Sequence, residues 1–181
     1  MFSAPAIPAL TSRPLISGTP RVEHSVTYEA TFDAWYSLAR AYWKAGLELL
    51  NVCRTGTPEQ TQVLTPGIFL IRHSAELHIK SMILDAGAQR WTKPTKRELN
   101  VLNGHSLAAL WDLLEKRLSM LGRVNEDHWW KRVRHIVGQL DELDRTSMDF
   151  RYPIDKAGGK LAAGNDITID VQNFLDVLAE L

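Results

Sequence analysis

Residues 71–80 read IRHSAELHIK, and the way they are read decides the fold. They sit inside a longer, mostly apolar run, LTPGIFLIRHSAELHIKSMILDAG, spanning 64–87. Thr65 followed by Pro66 is a favourable N-cap and first-turn pair, so the run is a helix of about 65–86. At about 100° per residue, Ile68, Phe69, Ile79 and Ile83 gather on one side, with Arg72 and Glu76 among them and Lys80 at the edge. Ser74, His78, Ser81 and Asp85 form the opposite arc, which this rotation assigns to water. Two opposite charges one turn apart thus point where the apolar residues point.

An exposed i, i+4 ion pair contributes only ~0.3–0.5 kcal/mol, too little to account for charges on an inner face. A buried charge is tolerated only when paired and hydrogen-bonded. Two readings follow. Arg72 and Glu76 belong to an internal brace between helices, or they line a polar cleft that faces a ligand. His73 lies on the flank of this face. Its imidazole titrates near neutrality, which makes it a candidate proton carrier.

The same periodicity organises the rest. Phe32, Trp35, Ala39, Tyr42, Gly46, Leu49 and Cys53 step by threes and fours, giving a first helix over about 28–53. The stretch 87–104, with Pro94 and Gly104, reads as a long basic loop holding at most a short turn. Leu107, Leu110, Leu114, Leu118 and Leu121 mark a helix over about 105–121, and Trp129, Val133, Ile136, Leu140 and Leu143 mark one that starts near Asp127. Residues 145–170 hold β-prone pieces around a Gly-Gly turn, compatible with a short hairpin. Asp170 is positioned to cap a last helix over 171–181. The expected fold class is all-α: a four- to five-helix bundle with an irregular C-terminal segment.

Composition narrows the classes. A chain of 181 residues, 45% of them hydrophobic, suits a single domain with a full core. Prolines at 5, 8, 14 and 20 make residues 1–27 an extended or disordered arm preceding one helical domain over 28–181. Twenty-one basic residues balance twenty-one acidic ones, so no global field selects a polyanion, although local basic patches remain. The single cysteine, Cys53, excludes an internal disulfide framework, and no Cys/His group has zinc spacing. No metal or cofactor is expected. No stretch approaches the ~20 apolar residues of a membrane span, and the expected location is cytoplasmic.

Three segments occur here in a distinctive order: RHSAELHIK (72–80), GHSLAALWDLL (104–114) and DRTSMDFRYPID (144–155). In that order the chain resembles a group of bacterial proteins of the HEPN-like helical superfamily, over roughly residues 30 to 180. The resemblance implies a four- or five-helix bundle, frequently a homodimer. Many relatives act as metal-independent RNases of toxin and phage-defence systems, and others are inactive binding modules. The matching positions are Arg72, His73, Glu76, His105, Arg151 and Tyr152.

The superfamily's nuclease motif is an arginine, four to six residues, then a histidine, with a polar residue directly after the arginine. Arg72 and His78 fit by spacing, with His73 following the arginine, but a regular helix sets them about 120° apart. Arg123 and His128 also fit and straddle a turn, although Val124 occupies the polar position. These two are secondary candidates.

His105, at the start of the third main helix, feels the positive end of the helix dipole, which suits a neutral base. Arg151 and Tyr152, on extended chain before Pro153, offer a phosphate clamp and a phenol, or a link pinning the tail to Glu76 or Asp149. Lys80 adds a second cation beside Glu76. QRWTKPTKR (89–97) combines basic residues with Trp91, as a nucleic-acid-tracking loop would. Trp129 and Trp130 suit the core or a dimer interface.

The leading expectation is a HEPN-like, RNA-associated protein. As an enzyme it would be a metal-independent endoribonuclease, with Arg72 or Arg151 holding phosphate and His73 or His105 moving the proton. The alternative is a non-catalytic interaction or dimerisation module in which Arg72, Glu76 and Arg151 form a polar brace. Expected partners are RNA, a partner protein and a second copy of the chain.

Overall fold

A computed structural model describes residues 34–54, 56–57, 62–89, 93–123, 128–152, 157–160 and 168–179. The arm expected over 1–27, the first residues of the first helix, Trp91 of the basic loop and most of the expected hairpin lie outside them. Among the described residues six helices follow in order: α1 (Ala34–Arg54), α2 (Leu64–Gln89), α3 (Lys96–Leu102), α4 (Leu107–Met120), α5 (His128–Leu143) and α6 (Val171–Leu178). The fold is all-α, and no strand occurs among the described residues.

The antiparallel-capable pair α1 and α2 makes the most extensive contact, and α2 then packs on α4, which meets α5. Glycines let the first two helices approach. A Cβ on Gly46 would lie 2.9 Å from the Ile71 side chain, and one on Gly67 would lie 3.2 Å from that of Leu50. Each helix thus gives up a side chain where the other presents a branched one. Leu50, Ile71, Leu107, Leu110 and Leu114, all at 0% exposure, form the centre of the core.

Several sequence expectations need correction. The arc of α2 assigned to water is partly covered, because α1 lies against it. Ser74 is fully buried and its hydroxyl donates to the Ala39 carbonyl at 2.8 Å, while His78 is half-buried. A helix packed on several sides gives a weak one-face signal.

The second concerns the basic loop, whose latter part is the helix α3. Thr95 caps it, accepting from the Glu98 amide, while Glu98 returns a bond to the Thr95 amide at 2.9 Å. This reciprocal capping box starts a helix directly after Pro94, and the Thr-x-x-Glu spacing carries the signal. Arg117 of α4 then donates to Glu98 at 2.7 Å, fastening the short helix to the bundle.

The first-helix seam is also shifted. Ala39, Gly46, Leu50 and Cys53 are the buried positions of α1, whereas Trp35 is exposed. Ser106 caps α4, accepting from the Ala109 amide at 3.2 Å. Asp170 caps α6 as its position suggested.

Candidate functional site

Arg72 lies one turn before Glu76 on α2 and is 1% exposed. Each of its guanidinium nitrogens has a partner. Nε donates to the Asp144 carbonyl at 2.9 Å, Nη1 to Glu76 Oε2 at 2.5 Å, and Nη2 to the His105 carbonyl. Asp144 directly follows α5, so Arg72 supplies a donor and a positive charge to the carbonyl end of that helix. His105 directly precedes the cap of α4. One side chain therefore ties α2 to the end of one helix and the beginning of another.

Glu76, also 1% exposed, is the acceptor at the centre. Oε1 accepts from Lys80 Nζ at 2.8 Å and lies 3.1 Å from His105 Nδ1. An ionised carboxylate only accepts, so Nδ1 carries the proton in that contact. Burial pushes the Glu76 carboxyl upward, but bonds from Lys80, Arg72 and His105, with the Lys80 charge, outweigh it and hold the group below its ordinary range. The His105 ring remains 49% exposed, the one member of the network in substantial contact with solvent. Lys80 is 6% exposed and Glu76 is its ion-pair partner.

The structure thus brings Arg72, Glu76, Lys80 and His105 together. His73 faces elsewhere. Its ring stacks on Phe69 at 5.4 Å and meets Tyr42 edge-on at 4.9 Å. Burial lowers its pKa, the charge of Glu76 opposing and that of Arg72 assisting. Arg151 and Tyr152 are exposed. Arg151 donates to the Ser147 carbonyl at 2.6 Å and lies over the rings of Phe69 and Tyr152 at 5.4 and 5.6 Å. Among the described residues it makes no ion pair with Glu76 or Asp149, so the pinning link runs through a ring and a backbone carbonyl instead.

The secondary pair is not assembled into this site. Arg123 and His128 are both exposed, and the turn over 124–127 lies outside the described residues. His78 meets Tyr36 at 5.4 Å and Ser74 Oγ at 3.5 Å, away from the Arg72 network, as the rotation indicated. Trp130 packs on Trp111, at 4.6 Å between ring centroids, and Trp129 is 52% exposed, so only Trp130 of the tryptophan pair joins the core edge.

Besides Glu98, two buried carboxylates carry structural bonds that the sequence analysis does not assign. Asp141 accepts from the Leu107 amide at 2.6 Å and so supports the N-terminus of α4. Asp144 accepts from the amides of Met148 and Asp149 at 2.9 and 3.2 Å, closing the turn in which buried Ser147 takes φ 58°. Asp141 follows the buried Val137 by one helical turn, so the rotation applied to Arg72 and Glu76 would have exposed it. The two acids do not form a metal centre. Among the described residues, no group of three His, Cys, Asp or Glu side chains is placed to hold an ion.

The fold and site define an all-helical domain with a buried, shared ion-pair network. No family model, no curated protein and no solved structure matches the chain. No helix among the described residues is long and apolar enough to cross a membrane.

Proposed function

We propose that the chain is a non-catalytic, HEPN-like, RNA-associated binding module whose Arg72–Glu76 pair is an internal brace. The observation that carries this reading is the saturation of Arg72. Its guanidinium is 1% exposed and holds a carboxylate and two backbone carbonyls from distant segments. To hold a phosphate it would have to leave all three, and a buried charge stripped of its partner costs several kcal/mol. The RNA association rests on the resemblance, and the brace rests on the geometry.

A second reading has one observation in its favour. The His105 ring is half-exposed and oriented by buried Glu76, the pairing by which a carboxylate holds an imidazole for proton transfer. In that reading His105 is the base of a metal-independent endoribonuclease and an exposed cation, Arg151, holds the phosphate.

Incubation of the purified protein with mixed RNA in EDTA separates the two. The module binds RNA without cutting it, and His105→Asn changes nothing. Cleavage by the native protein that His105→Asn abolishes, with folding intact, overturns the brace-only reading. Failure of the native protein to bind or cut any RNA overturns both.

A further inference from the structure

A groove of about 910 Å³ runs between α1, α2 and α5, and Arg72, Glu76, Lys80 and His105 do not line it. This lies within the ~300–1,000 Å³ range usual for ligand sites. Its walls are aromatic and apolar, with Tyr36 and Trp43 from α1, Met82 from α2, Trp111 from α4 and Trp129 from α5. Tyr36, Met82 and Trp129 are 49%, 40% and 52% exposed, unusual for side chains of this size clustered on one concave surface.

Among the described residues, the charged groups that line the groove are of one sign. Arg40 and Lys44 line it one turn apart on α1, and no carboxylate lines it among the described residues. Neither cation takes part in an ion pair among the described residues, and Arg40 instead lies 5.9 Å from the centre of the Tyr36 ring. Positive charge also reaches the imidazole on the groove floor. His78 is held below its ordinary pKa chiefly by burial and then by the Arg40 charge. This is an anion-attracting rim over flat π-surfaces, the combination that binds a single-stranded nucleic-acid backbone while stacking its bases.

We infer that this groove is the single-stranded RNA site of the chain, with Trp129 and Tyr36 stacking bases and Arg40 and Lys44 contacting phosphates. The inference rests on the RNA-associated reading above and gives it a location. The groove combines helix positions 36, 40, 43 and 44, which recur on one face at helical spacing.

The test is fluorescence anisotropy of a labelled twelve-nucleotide oligouridylate, titrated with the full chain between 50 and 200 mM salt. Trp129→Ala is expected to weaken binding roughly tenfold, the loss typical of one stacked base. Arg40→Ala/Lys44→Ala is expected to lower the slope of log affinity against log salt by about 1.4, at about 0.7 per phosphate contact on a single strand. Arg145→Ala, an exposed cation that does not line the groove, is expected to bind as the native protein does. All these side chains are exposed, and circular dichroism checks that each variant folds.

Native binding that survives both groove variants overturns the inference and leaves the RNA-associated reading standing. Absence of native binding overturns both. If Trp129→Ala dissociates a dimer in sedimentation while leaving RNA affinity intact, the groove is an interface between copies and the inference is likewise overturned.

Discussion

Replacing Arg72 with Met keeps most of the aliphatic length and removes the guanidinium. Glu76 would retain Lys80 and His105, but the carbonyls of His105 and Asp144 would lose a buried charged donor. A hydrogen bond to a charged group contributes about 1.5–3 kcal/mol, and breaking a buried ion pair costs about 3–5 kcal/mol, with the two values overlapping rather than adding. The expected loss is about 4 kcal/mol. At about 2–4 °C per kcal/mol for a chain of this size, the melting temperature falls by about 8–16 °C.

Glu76→Leu should cost a similar amount, because it leaves both Arg72 and Lys80 buried without a counter-charge. The double variant removes the desolvation cost of the pair and should fall short of the sum of the singles by at least about 2 kcal/mol. Urea unfolding followed by far-UV circular dichroism at pH 7 measures all three. Single-variant losses below about 1 kcal/mol, the range of solvent-exposed pairs, or strict additivity in the double variant, would refute the brace.

Four further outcomes are expected. Gly46→Ala gains helix propensity, yet its Cβ meets Ile71 at 2.9 Å, so it should destabilise by about 1–3 kcal/mol in the same urea assay. Stability should begin to fall as the pH drops below about 6.5, since folded His73 and His78 have lowered pKa values and the unfolded chain takes up protons first; His73→Phe should flatten that slope. Glu98, held at about 2 by the Thr95 backbone bond against burial and with help from Arg117, contributes stability that is present above its ordinary value of 4.5 and lost as the pH falls toward 2. An acid titration of Glu98→Gln should lack that component. Thr95→Ala should cost about 0.5–2 kcal/mol by removing the cap of α3, read from thermal melts.

Helix class and order were legible because the apolar residues of α4 and α5 recur at helical spacing, and because Asp170 announces a helix start; α2 opens at Leu64, so Thr65, expected as its cap, lies inside its first turn. The inward pair on α2 was legible for a related reason: a charge among Ile68, Ile79 and Ile83 must find partners. Which partners it finds was not. The Asp144 and His105 carbonyls are backbone groups, carry no side-chain signal and lie 72 and 33 residues from Arg72. Ser74 and His78 were misplaced because rotation alone cannot tell that a second helix covers the polar arc. The short helix α3 was passed over because Pro94 and the basic residues resemble a loop, while its capping box is a local signal that a search for long periodicity misses. Arg151, expected on extended chain, sits in a turn with its amide donating to the Met148 carbonyl at 3.0 Å, and its ring contact was not foreseeable from charge.

The grip of Arg72 on residues before α4 and after α5 has a consequence for biosynthesis. A nascent chain that has not yet released residue 144 from the ribosome holds a guanidinium with one of its carbonyl seats missing, so the first helical pair cannot reach its final state alone. Fragments ending before that residue should be degraded or chaperone-bound rather than stably folded, and completion of the domain should be nearly all-or-none.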